Sequence, residues 1–132
     1  MKIAVDTSAY YALAAAEDIN HAAARLIYER LLADAIELWT VSYVVAESAG
    51  LIGKRLGFDT LHAFRESLDE SSSITWVDKA LHVEAWNELE RHGRRDLSLV
   101  DCSLAVGARR EGIQDAFAFD RHFELLGLRL LR

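Results

Sequence analysis

Short apolar runs alternate along the chain with longer segments of helical periodicity. Five runs are predicted strands: 3–5, 37–41, 74–77, 116–119 and 128–131. Six segments repeat apolar residues every three or four positions and are predicted helices: 9–16, 20–34, 42 to 53 or 57, 58–68, 79–92 and 98–112. One further helical turn is predicted around Phe123. Strands and helices therefore alternate through the whole sequence.

This alternation predicts an α/β fold. The strands are continuous apolar runs rather than in-and-out patterns, which indicates a parallel sheet covered on both faces. At about 150 residues per domain, 132 residues predict one domain over 1–132. We find no internal repeat or linker, and the three serines at 71–73 are too few to separate domains.

Polar residues and glycines predict where several helices begin and end. Asn20, Ser42 and Ser98 are predicted N-caps, because a short polar side chain can bond a free backbone N–H of the first turn. Gly93 fits the position just after a helix.

Composition narrows the class of protein. The chain is 52% hydrophobic and has no proline, so it should fold. A single cysteine excludes an internal disulfide, and the apolar runs are too short for a signal peptide or a membrane span, which predicts a cytoplasmic protein. The net charge of −6 argues against binding nucleic acid through a broad basic surface. It leaves open a nucleic-acid substrate reached through a metal ion.

Four acids lie just beyond predicted strands, where a parallel sheet places its site. Asp6 follows the first strand and Asp120 follows the fourth. Glu47 lies about two turns into the helix after the second strand, and Asp101 is in the first turn of the helix that begins after Ser98. Crowded carboxylates repel one another unless a cation binds them. Oxygen ligands favour Mg²⁺ or Mn²⁺, which predicts metal-assisted phosphodiester hydrolysis.

Each acid also has a structural interpretation. Asp6 and Asp120 fit helix N-caps. Asp101 stands three residues after Ser98, which is the capping-box spacing, and Glu47 alone fits a solvated helix residue. What favours the metal hypothesis over these separate interpretations is that all four acids are expected to meet at one edge of the sheet.

Four segments resemble the motifs of PIN domains: VDTS at 5–8, AES at 46–48, DLSLVDCS at 96–103 and AFDRHF at 118–123. Within that family the chain is similar to VapC-type ribonuclease toxins of toxin–antitoxin modules. The resemblance implies a three-layer α/β/α fold with a five-stranded parallel sheet. It also implies RNA cleavage that needs Mg²⁺ or Mn²⁺, a homodimer and a small antitoxin partner.

The resemblance also implies roles for single residues. Asp6 and Asp101 match the family's metal-binding aspartates, and Glu47 and Asp120 match the other two acids of its active site. Asp96 matches a peripheral acid. Two small residues complete the comparison: Ser8 matches a small polar position beside the first aspartate, and Ala118 stands where many members have Thr or Ser.

Other reactive or aromatic residues are given structural roles. Cys102 is predicted to be a small buried residue, because neighbouring carboxylates disfavour its thiolate. His122 could assist proton transfer near Asp120, but a single histidine without a partner is more often an ordinary surface residue. Trp39, Trp76 and Trp86 are predicted core or interface anchors.

Three other functions remain to compare. A phosphoacceptor receiver needs an adjacent acidic pair and a lysine ending a late strand, but none of the three lysines ends a predicted strand. A phosphatase of the haloacid dehalogenase type needs a second Asp where Ser8 stands. A non-catalytic interaction module on a PIN fold is the main alternative to the nuclease.

Overall fold

The computed structural model describes residues 1–131, and its elements follow the alternating order that the sequence predicts. The strands are β1 (Lys2–Val5), β2 (Glu37–Val41), β3 (Ser72–Thr75), β4 (Asp115–Phe117) and β5 (Arg129–Leu130). The helices are α1 (Thr7–Ala14), α2 (His21–Ala33), α3 (Ser42–Leu56), α4 (Phe58–Ser71), α5 (Lys79–His92), α6 (Leu99–Glu111) and α7 (His122–Leu125). None of the helices within residues 1–131 is long and apolar enough to cross a membrane.

The five strands form one parallel sheet in the order β3-β2-β1-β4-β5. The predicted α/β class and the five-stranded parallel sheet are therefore confirmed. β1 lies at the centre, and the chain leaves it toward β2 on one side and returns to β4 on the other. This is a switch in strand order, which opens a crevice at the carboxyl ends of β1 and β4.

The central strands supply much of the core. Ile3, Ala4 and Val5 of β1 are buried, and Trp39 and Phe117 on the neighbouring strands are among the largest fully buried side chains. Successive residues of a strand point to opposite faces. Burial of successive residues therefore confirms that both faces of the sheet are covered.

Helix boundaries are predicted best where cap residues mark them. α5 begins and ends as predicted, with Gly93 just beyond it in the left-handed region at φ 59°. α6 begins directly after Ser98 and stops before Gly112, which has φ 72°. The free end groups of these helices thus have the partners that the sequence indicates.

The prediction is wrong around the third strand. β3 covers Ser72–Thr75 instead of 74–77, and α4 continues to Ser71 instead of ending at residue 68. β3 is an edge strand of half-buried residues, so serines pair there with β2 without a buried apolar side chain. Apolar pattern alone cannot locate such a strand.

Two predicted N-caps do not act as caps. Ser42 is the first residue of α3, and its Oγ accepts a hydrogen bond from Val77 N at 2.9 Å. Asn20 has the N-cap position of α2 but makes no side-chain cap bond. Ser42 instead ties the start of α3 to the segment after β3.

The three tryptophans divide between core and surface. Trp39 is 1% exposed, and its Nε1 donates to Thr75 Oγ1 at 2.9 Å. Trp76 and Trp86 are 75% and 44% exposed. Of the predicted core or interface roles, the core role is therefore confirmed for Trp39, whereas Trp76 and Trp86 lie outside the core and their interface role stays a prediction.

Gly107 allows α6 to approach β2 closely, which gives a stability prediction. A Cβ at Gly107 would lie 3.0 Å from the ring of Trp39 and 3.2 Å from Val41, whereas a Cβ at Gly50 in α3 would meet nothing within 4 Å. We expect Gly107→Ala to lower the free energy of unfolding by about 1–2 kcal/mol, because the bonded, buried indole cannot move aside freely. Gly50→Ala should raise it by roughly 0.5–1 kcal/mol. Urea unfolding of both variants checks the pair, and equal shifts would contradict this packing.

Candidate active site

Asp6 stands at the carboxyl end of β1, in the crevice between β1 and β4. Val5 is in register with Phe117, and Asp6 N donates to Phe117 O at 3.1 Å. On the other side, Thr40 Oγ1 of β2 donates to Val5 O at 2.8 Å. Both neighbouring strands therefore fix the backbone that carries this carboxylate.

The Asp6 carboxylate uses its two oxygens differently. Oδ2 caps α1, accepting from Ser8 N at 3.0 Å and from Ser8 Oγ at 2.8 Å. This confirms the cap interpretation. Oδ1 is buried and has no hydrogen-bond partner among the described residues. A buried oxygen without a partner is costly, so Oδ1 is suited to a ligand that the protein does not itself supply.

The surroundings of Asp6 oppose its negative charge. Burial raises the pKa of Asp6 from its ordinary 3.8 to about 6, even though the hydrogen bonds from Ser8 act to lower it. Repulsion by the nearby Asp101 carboxylate raises the pKa further. A bound cation would relieve both effects.

Asp101 both caps a helix and lies near Asp6. Its Oδ2 accepts from Ser98 N at 3.0 Å, and Ser98 Oγ accepts from Asp101 N at 3.0 Å. The capping box is therefore confirmed. Asp101 is 8% exposed, and its charge acts on Asp6. The structural and functional interpretations of Asp101 thus hold together.

His122 belongs to this site, although the sequence suggested an ordinary surface residue. Its Nε2 is buried and lies 3.1 Å from Asp101 Oδ2, without the geometry of a hydrogen bond. Its ring packs on Phe123 with centroids 4.7 Å apart. The surface interpretation is wrong because α7 turns the imidazole inward, and only its nearness in sequence to Asp120 hinted at this.

Glu47 and Asp120 are exposed, unlike the buried Asp6 and Asp101. Next to Glu47, Ser48 Oγ donates to Thr7 Oγ1 at 3.1 Å, which ties α3 to the start of α1. β4 ends at Phe117, so Asp120 is the third residue after the strand instead of the first. The roles of Glu47 and Asp120 stay predictions.

Ser8 connects the segment of Asp120 to Asp6. Its Oγ accepts from Phe119 N at 2.9 Å while donating to Asp6 Oδ2. The two strand-end segments are therefore held together by one side chain.

Two further residues are placed outside the acid pair. Asp96 is exposed and paired with Arg94 through two hydrogen bonds of 2.9 and 2.8 Å. Burial, and then the charge of Asp101, raises the pKa of the Cys102 thiol to about 11. The predicted burial of Cys102 is confirmed, and the residue stays a neutral thiol.

The donor set suits a cation that keeps part of its water shell. Within residues 1–131, no three His, Cys, Asp or Glu side chains lie close enough to enclose a metal ion. Mg²⁺ commonly uses only one or two carboxylates, with water and substrate phosphate completing its shell. Asp6 Oδ1 and the Asp101 carboxylate fit that requirement.

Comparison with known proteins gives consistent matches along the chain. The PIN domain family model matches residues 3–127. The 23S rRNA-specific endonuclease VapC20 of Mycobacterium tuberculosis is 32% identical over 126 residues, which cover 95% of this chain and 94% of that protein.

Solved structures agree with the sequence matches. The crystal structure of M. tuberculosis VapC20, described as a sarcin–ricin loop cleaving toxin, superposes with a TM-score of 0.86 at 33% identity and covers 98% of both chains. VapBC2 from Rickettsia felis, bound to a DNA fragment from its promoter, shares the fold with a TM-score of 0.72 at 18% identity, over 99% of this chain and 98% of that one. The chain therefore belongs to the PIN domain family and, within it, to the VapC-type proteins.

Proposed function

We propose that this protein is an endoribonuclease that depends on Mg²⁺ or Mn²⁺ and acts as the toxin of a toxin–antitoxin pair. The observation that carries the proposal is the buried Oδ1 of Asp6, which has no partner among the described residues and lies beside Asp101 at the central sheet crevice. Family membership supports the choice of RNA as substrate. The same membership argues against the receiver and phosphatase alternatives.

Asp6 and Asp101 are the proposed metal ligands. Asp6 would use Oδ1, since Oδ2 is engaged by Ser8. Asp101 would use Oδ1, since Oδ2 accepts from Ser98 and contacts His122. When bound, the cation polarises the phosphodiester and lowers the pKa of a coordinated water.

Glu47 and Asp120 are proposed to complete the acid set from the solvent side. Both are exposed, so they can meet a substrate as it approaches the buried pair. The contact between Ser48 and Thr7 positions the helix of Glu47, and the contact between Phe119 and Ser8 positions the segment of Asp120. Glu47 and Asp120 would thus meet the substrate from the solvent side, while Asp6 and Asp101 would hold the cation.

RNA cleavage in the presence and absence of metal tests the function. The name of the similar VapC20 makes a hairpin carrying the sarcin–ricin loop of 23S rRNA the first substrate, with a loop-scrambled hairpin as control. We expect Mn²⁺-dependent cleavage of RNA that EDTA abolishes. A folded protein that cleaves neither hairpin nor whole 23S rRNA in Mn²⁺ would favour the non-catalytic module.

We also propose a small antitoxin and a second copy of this chain as partners in the cytoplasm. An arginine of the antitoxin would pair with the acids of the crevice. Exposed apolar residues such as Phe58 and Trp76 offer surface for a dimer. Sedimentation at micromolar concentration should give a dimer, and a monomer alone would contradict the proposed dimer.

Inhibition by the antitoxin should weaken when the arginines of the antitoxin tail are changed to alanine.

The Ser8 hydroxyl should set the pH dependence of activity. Because its hydrogen bond to Asp6 Oδ2 lowers the pKa of Asp6, Ser8→Ala, which keeps the backbone bond from Ser8 N, should move that pKa above its present value of about 6. At limiting Mn²⁺, kcat/KM should rise with pH as Asp6 ionises, and the rise should occur at higher pH in the variant. Below neutral pH we expect kcat/KM of Ser8→Ala to be about tenfold lower than that of the wild type. Ser8→Thr, which keeps the hydroxyl, should restore the profile, and an unshifted Ser8→Ala profile would show that Ser8 does not act on Asp6.

A further inference from the structure

A cavity of about 300 Å³ lies against the segment that carries Asp120. Ala23, Leu26 and Arg30 of α2 form one wall, and Phe119, Arg121 and Leu130 lie across from them. We propose that this α2–β5 pocket binds one nucleobase of the RNA substrate, with arginine contacting the adjoining phosphate. The inference rests on the proposed function and names a specificity site for it.

The pocket is connected to the acids by a short path. Phe119 lines the pocket and precedes Asp120 in the chain. Its backbone N–H donates to Ser8 Oγ, which in turn donates to Asp6 Oδ2. The pocket therefore adjoins the segment that carries Asp120, and Ser8 joins that segment to Asp6 through hydrogen bonds.

The lining has the two properties that a base with its phosphate requires. The wall is mostly aliphatic and includes the half-buried ring of Phe119, and unpaired bases stack on aromatic rings and on guanidinium planes. The charged residues of the lining are Arg30 and Arg121, both cationic. In a chain of net charge −6 with acids at the crevice, the positive charge of Arg121 offsets the repulsion that RNA phosphates meet there.

Two other apolar cavities lined by described residues lack this combination. The cavity between α1, α2 and α4, lined by Tyr28 and Phe64, includes no charged residue. The cavity at α4 and Trp76 also involves α3, the helix that carries Glu47, but it includes Asp69 as well as Arg65. Charge complementarity therefore favours the α2–β5 pocket for RNA.

Filling the pocket from an exposed position tests the proposal without disturbing the core. Ala23 is exposed and lines the pocket, whereas Ala22 is exposed on the same helix and does not line it. Ala23→Phe is therefore matched by Ala22→Phe. Leu26→Glu is a second variant, because Leu26 is 61% exposed and a carboxylate there would repel phosphate.

Binding and cleavage are measured separately. The probe for binding is a fluorescein-labelled single-stranded 12-nucleotide RNA of mixed sequence in EDTA, followed by anisotropy. We expect Ala23→Phe and Leu26→Glu to weaken binding about tenfold and to raise KM for the sarcin–ricin hairpin in Mn²⁺ with little change in kcat. Ala22→Phe should match the wild type.

The outcomes separate the pocket from the function. If the wild type cleaves RNA and Ala23→Phe has an unchanged KM, the pocket proposal is wrong and the nuclease proposal is retained. Wild-type RNA binding that Ala23→Phe loses, with no cleavage by any form, supports the pocket and contradicts the nuclease. If Ala23→Phe keeps its RNA affinity but is no longer inhibited by the antitoxin, the pocket binds a peptide and the nucleobase proposal is wrong.

Discussion

Asp6→Asn should be more stable than the wild type without metal and should lose RNA cleavage. The amide oxygen of Asn can still accept the Ser8 hydrogen bonds, so the cap of α1 is retained. The variant lacks the buried charge whose cost appears as a pKa raised from 3.8 to about 6. Two pKa units correspond to roughly 3 kcal/mol. Because burying the new amide group costs part of this, we expect the free energy of unfolding to rise by about 1–3 kcal/mol at pH 8. Cleavage should fall on the order of 100-fold or more, because Asp6 is a proposed metal ligand.

The sign of the pH dependence follows from the direction of this shift. Folded Asp6 holds its proton more tightly than unfolded Asp6, so wild-type stability falls as pH rises from about 3.8 through about 6. The stability advantage of Asp6→Asn over the wild type should therefore be lost below pH 3.8 and reach its full size above about pH 6. Urea unfolding in EDTA across this range measures it.

Asp78→Asn is the matched control. Asp78 caps α5 through a 2.9 Å bond from Leu81 N, but it is exposed. Loss of its charge near a helix N-terminus should cost about 0.3–1 kcal/mol. An Asp6→Asn variant that is destabilised to the same degree would show that Asp6 acts only as a cap.

Glu88→Gln should cause the largest loss of stability. Glu88 is 5% exposed at the contact of α5 with α6, where its carboxylate meets Arg91, His92 and Arg109. Burial alone would raise the pKa of Glu88. The pKa is nevertheless held below its ordinary 4.5 by the hydrogen bond and charge of Arg109 and by hydrogen bonds from Arg91 and His92. Removing the anion leaves these cations crowded together. Because Arg91 and Arg109 are more than half exposed, we expect a loss of about 1.5–3 kcal/mol, less than for a fully buried pair.

Glu84→Gln is the control for Glu88→Gln. Glu84 also joins α5 to α6, through Arg110 at 2.9 Å, but both side chains are exposed. Its loss should cost about 0.5 kcal/mol. The effect of Glu88→Gln should shrink as pH falls through the lowered pKa of Glu88, since wild-type Glu88 then becomes neutral. Equal losses in the two variants at pH 7 would contradict the role of burial.

Elements marked by local chemistry could be predicted from the sequence. The capping box of Ser98 and Asp101 predicted the start of α6, and Gly93 predicted the end of α5. Both signals act within one helical turn, so they can be recognised from the sequence. The apolar run at 37–41 matched β2, which is buried along four of its five residues.

Features that depend on distant contacts could not be predicted. Ser42 bonds Val77, far along the chain, so its use as a cap was a reasonable local expectation that tertiary structure overrides. Glu88 is buried because cations from α5 and α6 surround it, and a charged residue gives no apolar signal. At the site, the positions of Asp6 and Asp101 followed from strand and helix ends. The free oxygen of Asp6 and the inward turn of His122 required the structure.

The central claim is that Asp6 and Asp101 bind the catalytic cation together, and direct Mn²⁺ binding tests it. Titration of Mn²⁺ into metal-free protein, followed by the electron paramagnetic resonance signal of free Mn²⁺, should show binding to the wild type. Asp6→Asn and Asp101→Asn should each weaken it about 10–100-fold. Asp96→Asn, which removes an exposed acid paired with Arg94, should bind as the wild type does. Wild-type Mn²⁺ affinity in Asp6→Asn would contradict the account.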